Sequence, residues 1–228
     1  MKHLLSALPV LTLLALGACN RADDLAEPAP VPPAGPVLYR VTFEATWSAD
    51  THANFPAGGH FSPLVGLSHR AGSSVFQPGQ LASPGIKNMA ELGNNTALRA
   101  EINALRGAGD AFGLLDGKGT TRSPGTLVDT IRLDPAHPRL TVVTMIAPSP
   151  DWFAALEDEN LLANGEWAAR RTVPARAYDA GTDSGPTFTA PDQPTLPATA
   201  VRALQLPPPT GGAPAGPPVG VWHLEKIR

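Results

Sequence analysis

Two aspartates four positions apart, Asp179 and Asp183, sit in the small-residue run AYDAGTDSGPTF, Ala177 to Phe188. Carboxylates at that spacing, with Gly181 between them to turn the chain, can be folded toward one point. Hard cations such as calcium take about 6–8 oxygen ligands, with carboxylates supplying charge and carbonyls or water the remainder. Two acids fall short of that, so a third is expected from elsewhere. Asp151 in MIAPSPDWF is the candidate, because it follows an apolar β-branched run and a rigid Pro148-Ser149-Pro150 turn. The spacing is not that of an EF-hand. On residue types alone, a solvated turn accounts for Asp179 and Asp183 as well as an ion site does.

The same stretch offers a nucleophile. Thr182-Asp183-Ser184-Gly185-Pro186 resembles the Asp-Ser-Gly-Pro loop of trypsin-like hydrolases. The resemblance fails at several points. Thr182 stands where the glycine of the oxyanion hole belongs, the second glycine after the serine is missing, and no histidine has the Ala-Ala-His setting. A triad is defined by geometry, and the local sequence does not supply one around Ser184. His52, His60 and His69 form a second constellation, spaced by eight and nine residues. Zinc ligands on a small scaffold usually include a tight pair, which is absent here. These imidazoles are expected to hydrogen-bond backbone groups in loops.

The amino terminus carries Lys2, an apolar run from Leu4 to Leu16, and then Leu16-Gly17-Ala18-Cys19. This reads as an export leader with too short an apolar core to span a bilayer. Its end resembles the lipobox of bacterial lipoproteins. That makes Cys19 the expected lipidation site, and Asn20 after it favours the outer membrane. Cys19 is the only cysteine, so its acylation leaves no thiol for a disulfide or a nucleophile. The formal net charge is −3 and becomes one unit more negative when Lys2 leaves with the leader. No basic run favours nucleic acid.

Residues 20–36 (NRADDLAEPAPVPPAGP) read as a stiff proline-rich tether. Residues 37–228 then form one domain. In PVLYRVTFEATWS, Tyr39, Val41, Phe43, Ala45 and Trp47 alternate with polar residues, the pattern of a half-buried strand. GTLVDTIRLD, RLTVVTMIA and VGVWHLEKI are the other expected strands. NTALRAEINALRG predicts a helix with Leu98, Ile102 and Leu105 on one stripe, capped at Asn95 or Thr96 and stopped at Gly107. IKNMAELG predicts a further turn or two. Residues 48–74 and 154–200 read as turn-rich, and 207–218 (PPPTGGAPAGPP) as a Pro/Gly loop. Strands outnumber helices without βαβ alternation, which points to a mainly β antiparallel sandwich with few short helices.

Several blocks taken in order resemble the spondin domain of the F-spondin and mindin type: YRVTFEATWS, HFSPLVGLSH, LASPGIKNMAELG, TVVTMIAPSPDWF, DAGTDSGPTF and PDQPTLPA. The resemblance spans about residues 38 to 200. It implies an antiparallel β-sandwich and a calcium ion bound through three aspartates, which map here onto Asp151, Asp179 and Asp183. The chain departs from animal members in lacking nearby cysteines and thrombospondin-type repeats. The implied function is a lipid-anchored, calcium-binding envelope module that meets a protein or glycan ligand, with Trp152, Phe153 and Trp167 as candidate contacts or core. The alternatives are an exported hydrolase using Ser184 or the metal site, and a purely structural envelope component.

Overall fold

The computed structural model describes residues 35–204 and 217–228. The leader, Cys19, nearly all of the tether and most of the Pro/Gly loop lie outside the described residues. The strands are β1 (Val37–Ala45), β2 (His60–Phe61), β3 (Val65–His69), β4 (Ala111–Asp116), β5 (Thr121–Arg122), β6 (Gly125–Leu133) and β7 (Arg139–Ala147). They continue with β8 (Trp152–Asn160), β9 (Leu162–Ala163), β10 (Glu166–Trp167), β11 (Arg170–Asp179), β12 (Arg202–Leu204) and β13 (Gly220–Lys226). Two helices, α1 (Pro84–Leu92) and α2 (Thr96–Ala108), separate β3 from β4.

The main sheet runs β4-β3-β7-β8-β11-β13-β1-β6, with antiparallel pairing throughout. β12 adds to β11, β2 joins β7 to β5, and β9 and β10 form a separate ribbon. The two end strands, β4 and β6, come together without a ladder between them. Ser68 Oγ accepts from the Gly113 amide at 2.7 Å and donates to the Arg132 carbonyl at 2.8 Å, which bridges the seam. A Cβ at position 113 would press into that same carbonyl, so the approach requires glycine. The sandwich is therefore nearly closed into a barrel.

Alternation explains the interior. Tyr39, Val41, Phe43 and Ala45 of β1 point inward, and Trp47, Phe61, Phe188 and Trp222 complete this core. Each such large side chain contributes about 1.5–3 kcal/mol when fully buried. β7 and β8 are buried on both faces. Leu140, Val142, Ala154 and Leu156 join the interior, whereas Val143, Phe153 and Ala155 face Ile86, Met89, Leu98 and Ile102 of the helices. A strand covered on both sides gains nothing from alternation.

The helices depart from expectation at their ends. α2 stops at Gly109 (φ 77°), two residues beyond the expected Gly107, and the Asn95 side chain makes no cap bond. Asn94 Oδ1 instead accepts from the Thr96 amide at 3.0 Å. α1 is nine residues long, capped by Ser83 and ended by Gly93 (φ 63°). The two helices are latched by Glu101, which accepts from Ser83 Oγ and the Gly85 amide, both at 2.7 Å. Glu91 forms an i,i+4 ion pair with Lys87 at 3.8 Å.

The stretches that read as turn-rich hold real strands. Residues 48–74 contain β2 and β3, and residues 154–200 contain most of β8 and all of β9, β10 and β11. β8 lacks a sequence signature because Trp152 to Leu156 is apolar on both faces and Glu157 to Asn160 is polar on both. β11 lacks one because Pro174 interrupts it, a residue that sheet interiors normally exclude. Pro174 nevertheless stands opposite Val221 of β13.

Candidate metal centre

Asp151 lies between the end of β7 and the start of β8. Its turn is held by Ser149, whose hydroxyl accepts from the Trp152 amide at 3.1 Å and donates to the Ile146 carbonyl at 2.5 Å. Asp179 ends β11, opposite Trp152 of β8 and Arg202 of β12. The Ala180 amide then donates to the Asp151 carbonyl at 3.2 Å. Pairing thus brings Asp151 and Asp179 to the same rim of the sheet, and Asp183 follows on the loop that crosses above.

That loop is stapled to a second strap, residues 193–199. Ser184 donates its amide to Gln193 O, Thr195 to Thr182 O and Thr199 to Gly181 O, at 2.8 to 2.9 Å. Gly181 has φ 74°, and a Cβ there would press into Thr199 O, so the expected turn glycine is required on both counts. The PDQPTLPA block is therefore the strap that closes the acidic loop.

The three carboxylates are buried, with relative exposures of 0% for Asp151, 5% for Asp179 and 7% for Asp183. Asp179 Oδ1 accepts from the Gly181 amide at 2.8 Å and Asp183 Oδ1 from the Gly185 amide at 2.7 Å. Both are Asx turns. The turn half of the solvated-turn reading holds, and the solvated half does not. Asp183 Oδ2 takes the Gln193 amide at 3.1 Å, and Asp179 Oδ2 takes Arg202 Nη2 at 2.7 Å.

Asp151 differs from the other two. Its Oδ2 accepts from the amides of Thr182 (2.7 Å) and Asp183 (3.1 Å) and from the Thr182 hydroxyl (3.3 Å). Its Oδ1 is buried with no partner, the one such oxygen on an ionisable side chain among the described residues. Burial pushes its carboxyl up to about 6, and the Asp179 charge adds to this, against the lowering effect of the two amides. Leaving a buried acceptor unmet costs about 1–3 kcal/mol, and more when the group is charged.

Among the described residues, no three His, Cys, Asp or Glu side chains converge into a ready ligand set. Asp151 and Asp179 are neighbours, while the Asp183 carboxylate faces Gly185 and Gln193, with only its amide on Asp151. The donors fit a hard cation in kind. All are carboxylate oxygens, one of them buried and unmatched, and a guanidinium already stands on Asp179. Nothing in the sequence marks Arg202, because β12 is only three residues long.

The remaining candidates resolve as loop and core residues. His52 bonds Thr51 Oγ1 at 2.9 Å and Pro217 O at 2.8 Å. His60 bonds Gly58 O at 3.0 Å, and His69 bonds Arg70 O at 2.8 Å and Thr141 Oγ1 at 2.9 Å. These are largely the backbone contacts expected of them. Trp152 and Phe153 are core residues, and Trp167 packs edge-on to Tyr39 at 6.3 Å. Ser184 is exposed, and its hydroxyl meets Thr195 Oγ1 at 2.6 Å rather than an imidazole.

The order of the sequence blocks agrees with one family. The Spondin_N family model matches residues 37–212. The chain belongs to the Spondin_N family. Spondin-1 of Gallus gallus is 32% identical over 181 residues, covering 75% of this chain and 22% of the relative. Spondin-1 of Xenopus laevis is likewise 32% identical, with the same coverage. Spondin-2 of Rattus norvegicus is 29% identical over 174 residues, covering 73% of this chain and 52% of the relative. This Spondin_N chain thus spans about a fifth of Spondin-1 and about half of Spondin-2.

Proposed function

We propose that the protein is an exported, lipid-anchored Spondin_N module that binds calcium at Asp151, Asp179 and Asp183 and works as an adhesion or ligand-binding domain of the cell envelope. The reading rests above all on the unmatched, fully buried Oδ1 of Asp151 beside Asp179. A bound calcium ion supplies positive charge that offsets carboxylates taken out of water. The chain's own part is to hold them there. Thr182 and Asp183 amides fix Asp151, and the 193–199 strap fixes the loop carrying Asp183. Arg202 occupies Asp179 and is itself 70% exposed, so its side chain is free to turn outward.

The segment 152–178 does not depend on an ion to hold it against Asp151, because β8 and β11 pair directly, Phe153 opposite Tyr178 and Trp152 opposite Asp179. The ion's role is confined to the rim.

The proposed anchor at Cys19 rests on the Leu16-Gly17-Ala18-Cys19 run, and the proposed outer-membrane placement on Asn20 after it. More than one acyl chain holds a protein on a bilayer where a single chain gives only marginal binding. Cys19→Ser is expected to release the protein from the membrane fraction of an expressing bacterium; retention in that fraction would refute the anchor. Calcium binding is tested by melting the exported chain in calcium and in chelator. A ligand taken only by the folded form raises the midpoint with concentration, and equal midpoints at millimolar calcium would refute the site.

A further inference from the structure

We propose that the seam between β4 and β6 is a binding site for an amphiphilic anion: a phosphate, sulfate or carboxylate head on an apolar body. A trough of about 360 Å³ lies along this seam, lined by Leu38, Phe112, Leu114, Thr130, Arg106 and Arg132. A smaller one of about 170 Å³ continues from it, sharing Leu38 and Arg132 and reaching Arg228. None of its residues belongs to the acidic loop, so this site is independent of calcium at the rim.

Shape, charge and lining together carry it. The trough lies where β4 and β6 meet without a ladder, beside the Ser68 bridge between the Gly113 amide and the Arg132 carbonyl. Its lining is cationic at three positions and includes no Asp or Glu. Arg132 is exposed and has no carboxylate within ion-pair distance among the described residues, in contrast to Arg40 on the same face, which is paired with Glu225 at 2.7 Å. Asp129 of β6 accepts the Thr130 amide through Oδ1 at 2.7 Å, and Asp134, just after β6, is paired with His137 at 2.7 Å. Arg106 is pre-oriented, with Nε on the Phe112 carbonyl and Nη1 on Asn103 Oδ1, both at 2.9 Å. A planar guanidinium held in this way keeps its remaining donors for an anionic head. Half-buried Leu38, Phe112 and Leu114 supply the apolar wall, and the volume falls in the range of small-ligand sites, about 300–1,000 Å³.

The test is a titration of the ¹⁵N-labelled exported chain with octyl phosphate below its aggregation limit, with inorganic phosphate and 1-octanol as separate arms. Saturable shifts are expected at residues 112–114 and 130–132. Octyl phosphate should bind at least tenfold more tightly than either arm. Arg132→Ala should weaken octyl phosphate at least tenfold with an unchanged melting temperature, and Arg40→Ala should leave binding intact. Shifts away from the seam, binding of octanol as tight as that of octyl phosphate, or no effect of Arg132→Ala would overturn the anion site. Inorganic phosphate binding as tightly as octyl phosphate would overturn the amphiphile.

Discussion

The Thr182 amide donates to Oδ2 of Asp151 at 2.7 Å, across 31 positions of sequence. This bond ties the β7–β8 turn to the loop after β11. It also leaves Oδ1 as the unsatisfied half of a buried carboxylate. From this asymmetry come measurable consequences.

Asp151→Asn keeps one oxygen for the Thr182 and Asp183 amides and removes the charge. In chelator at neutral pH its melting temperature is expected to equal or exceed that of the parent. Its response to calcium is expected to vanish. Differential scanning calorimetry with and without calcium reads both.

The pH dependence has a definite sign. Burial raises the Asp151 carboxyl to about 6 in the folded chain, from an ordinary value of 3.8. A raised carboxyl stabilises the fold fully below pH 3.8, and that contribution is lost as pH rises through 6. The shift corresponds to about 3 kcal/mol at about 1.4 kcal/mol per unit. His69 acts in the opposite direction, because burial lowers its pKa below 6.5, so stability is lost as pH falls from 6.5 toward its folded value. The difference between the parent and Asp151→Asn, measured by denaturant melts from pH 4 to pH 7 in chelator, isolates the Asp151 contribution. A difference that does not change with pH would contradict it.

Arg202 neutralises Asp179 when no ion is present. Arg202→Gln is expected to lower the calcium concentration that gives half-maximal stabilisation, by about threefold to tenfold, since removing a competing cation is worth about 1 kcal/mol at a partly exposed pair. A weakened calcium response would show instead that Arg202 supports the site.

Gly181→Ala puts a Cβ against Thr199 O at a backbone φ of 74°. A destabilisation of about 1–3 kcal/mol is expected, and hydrogen exchange should show it concentrated in residues 180–199. Glu101→Ala strands the Gly85 amide and the Ser83 hydroxyl between α1 and α2. About 1–3 kcal/mol of stability should be lost, with the calcium response retained.

Legibility in the sequence follows the physics of burial. β1 faces the core on one side and solvent on the other, so its alternation announces both its strand state and its inward residues. β7 is legible through β-branched residues, although both of its faces are covered. β8 and β11 carry the rim of the site and are not legible. Trp152-Phe153-Ala154-Ala155-Leu156 has no period to read, and Pro174 argues against a strand that its neighbours nevertheless complete. The acids themselves stand out through Gly181 and the Pro-Ser-Pro turn. What sequence does not supply is the direction of each carboxylate: Asp183 onto Gln193, Asp179 onto Arg202, and Asp151 half unmatched.

The central claim is that the Asp151 rim takes a calcium ion. Isothermal titration of calcium into the chelator-treated exported chain tests it most directly. One saturating site per chain, absent in Asp151→Asn, is the predicted result. No binding heat at millimolar calcium, together with an unmoved melting temperature, would contradict it.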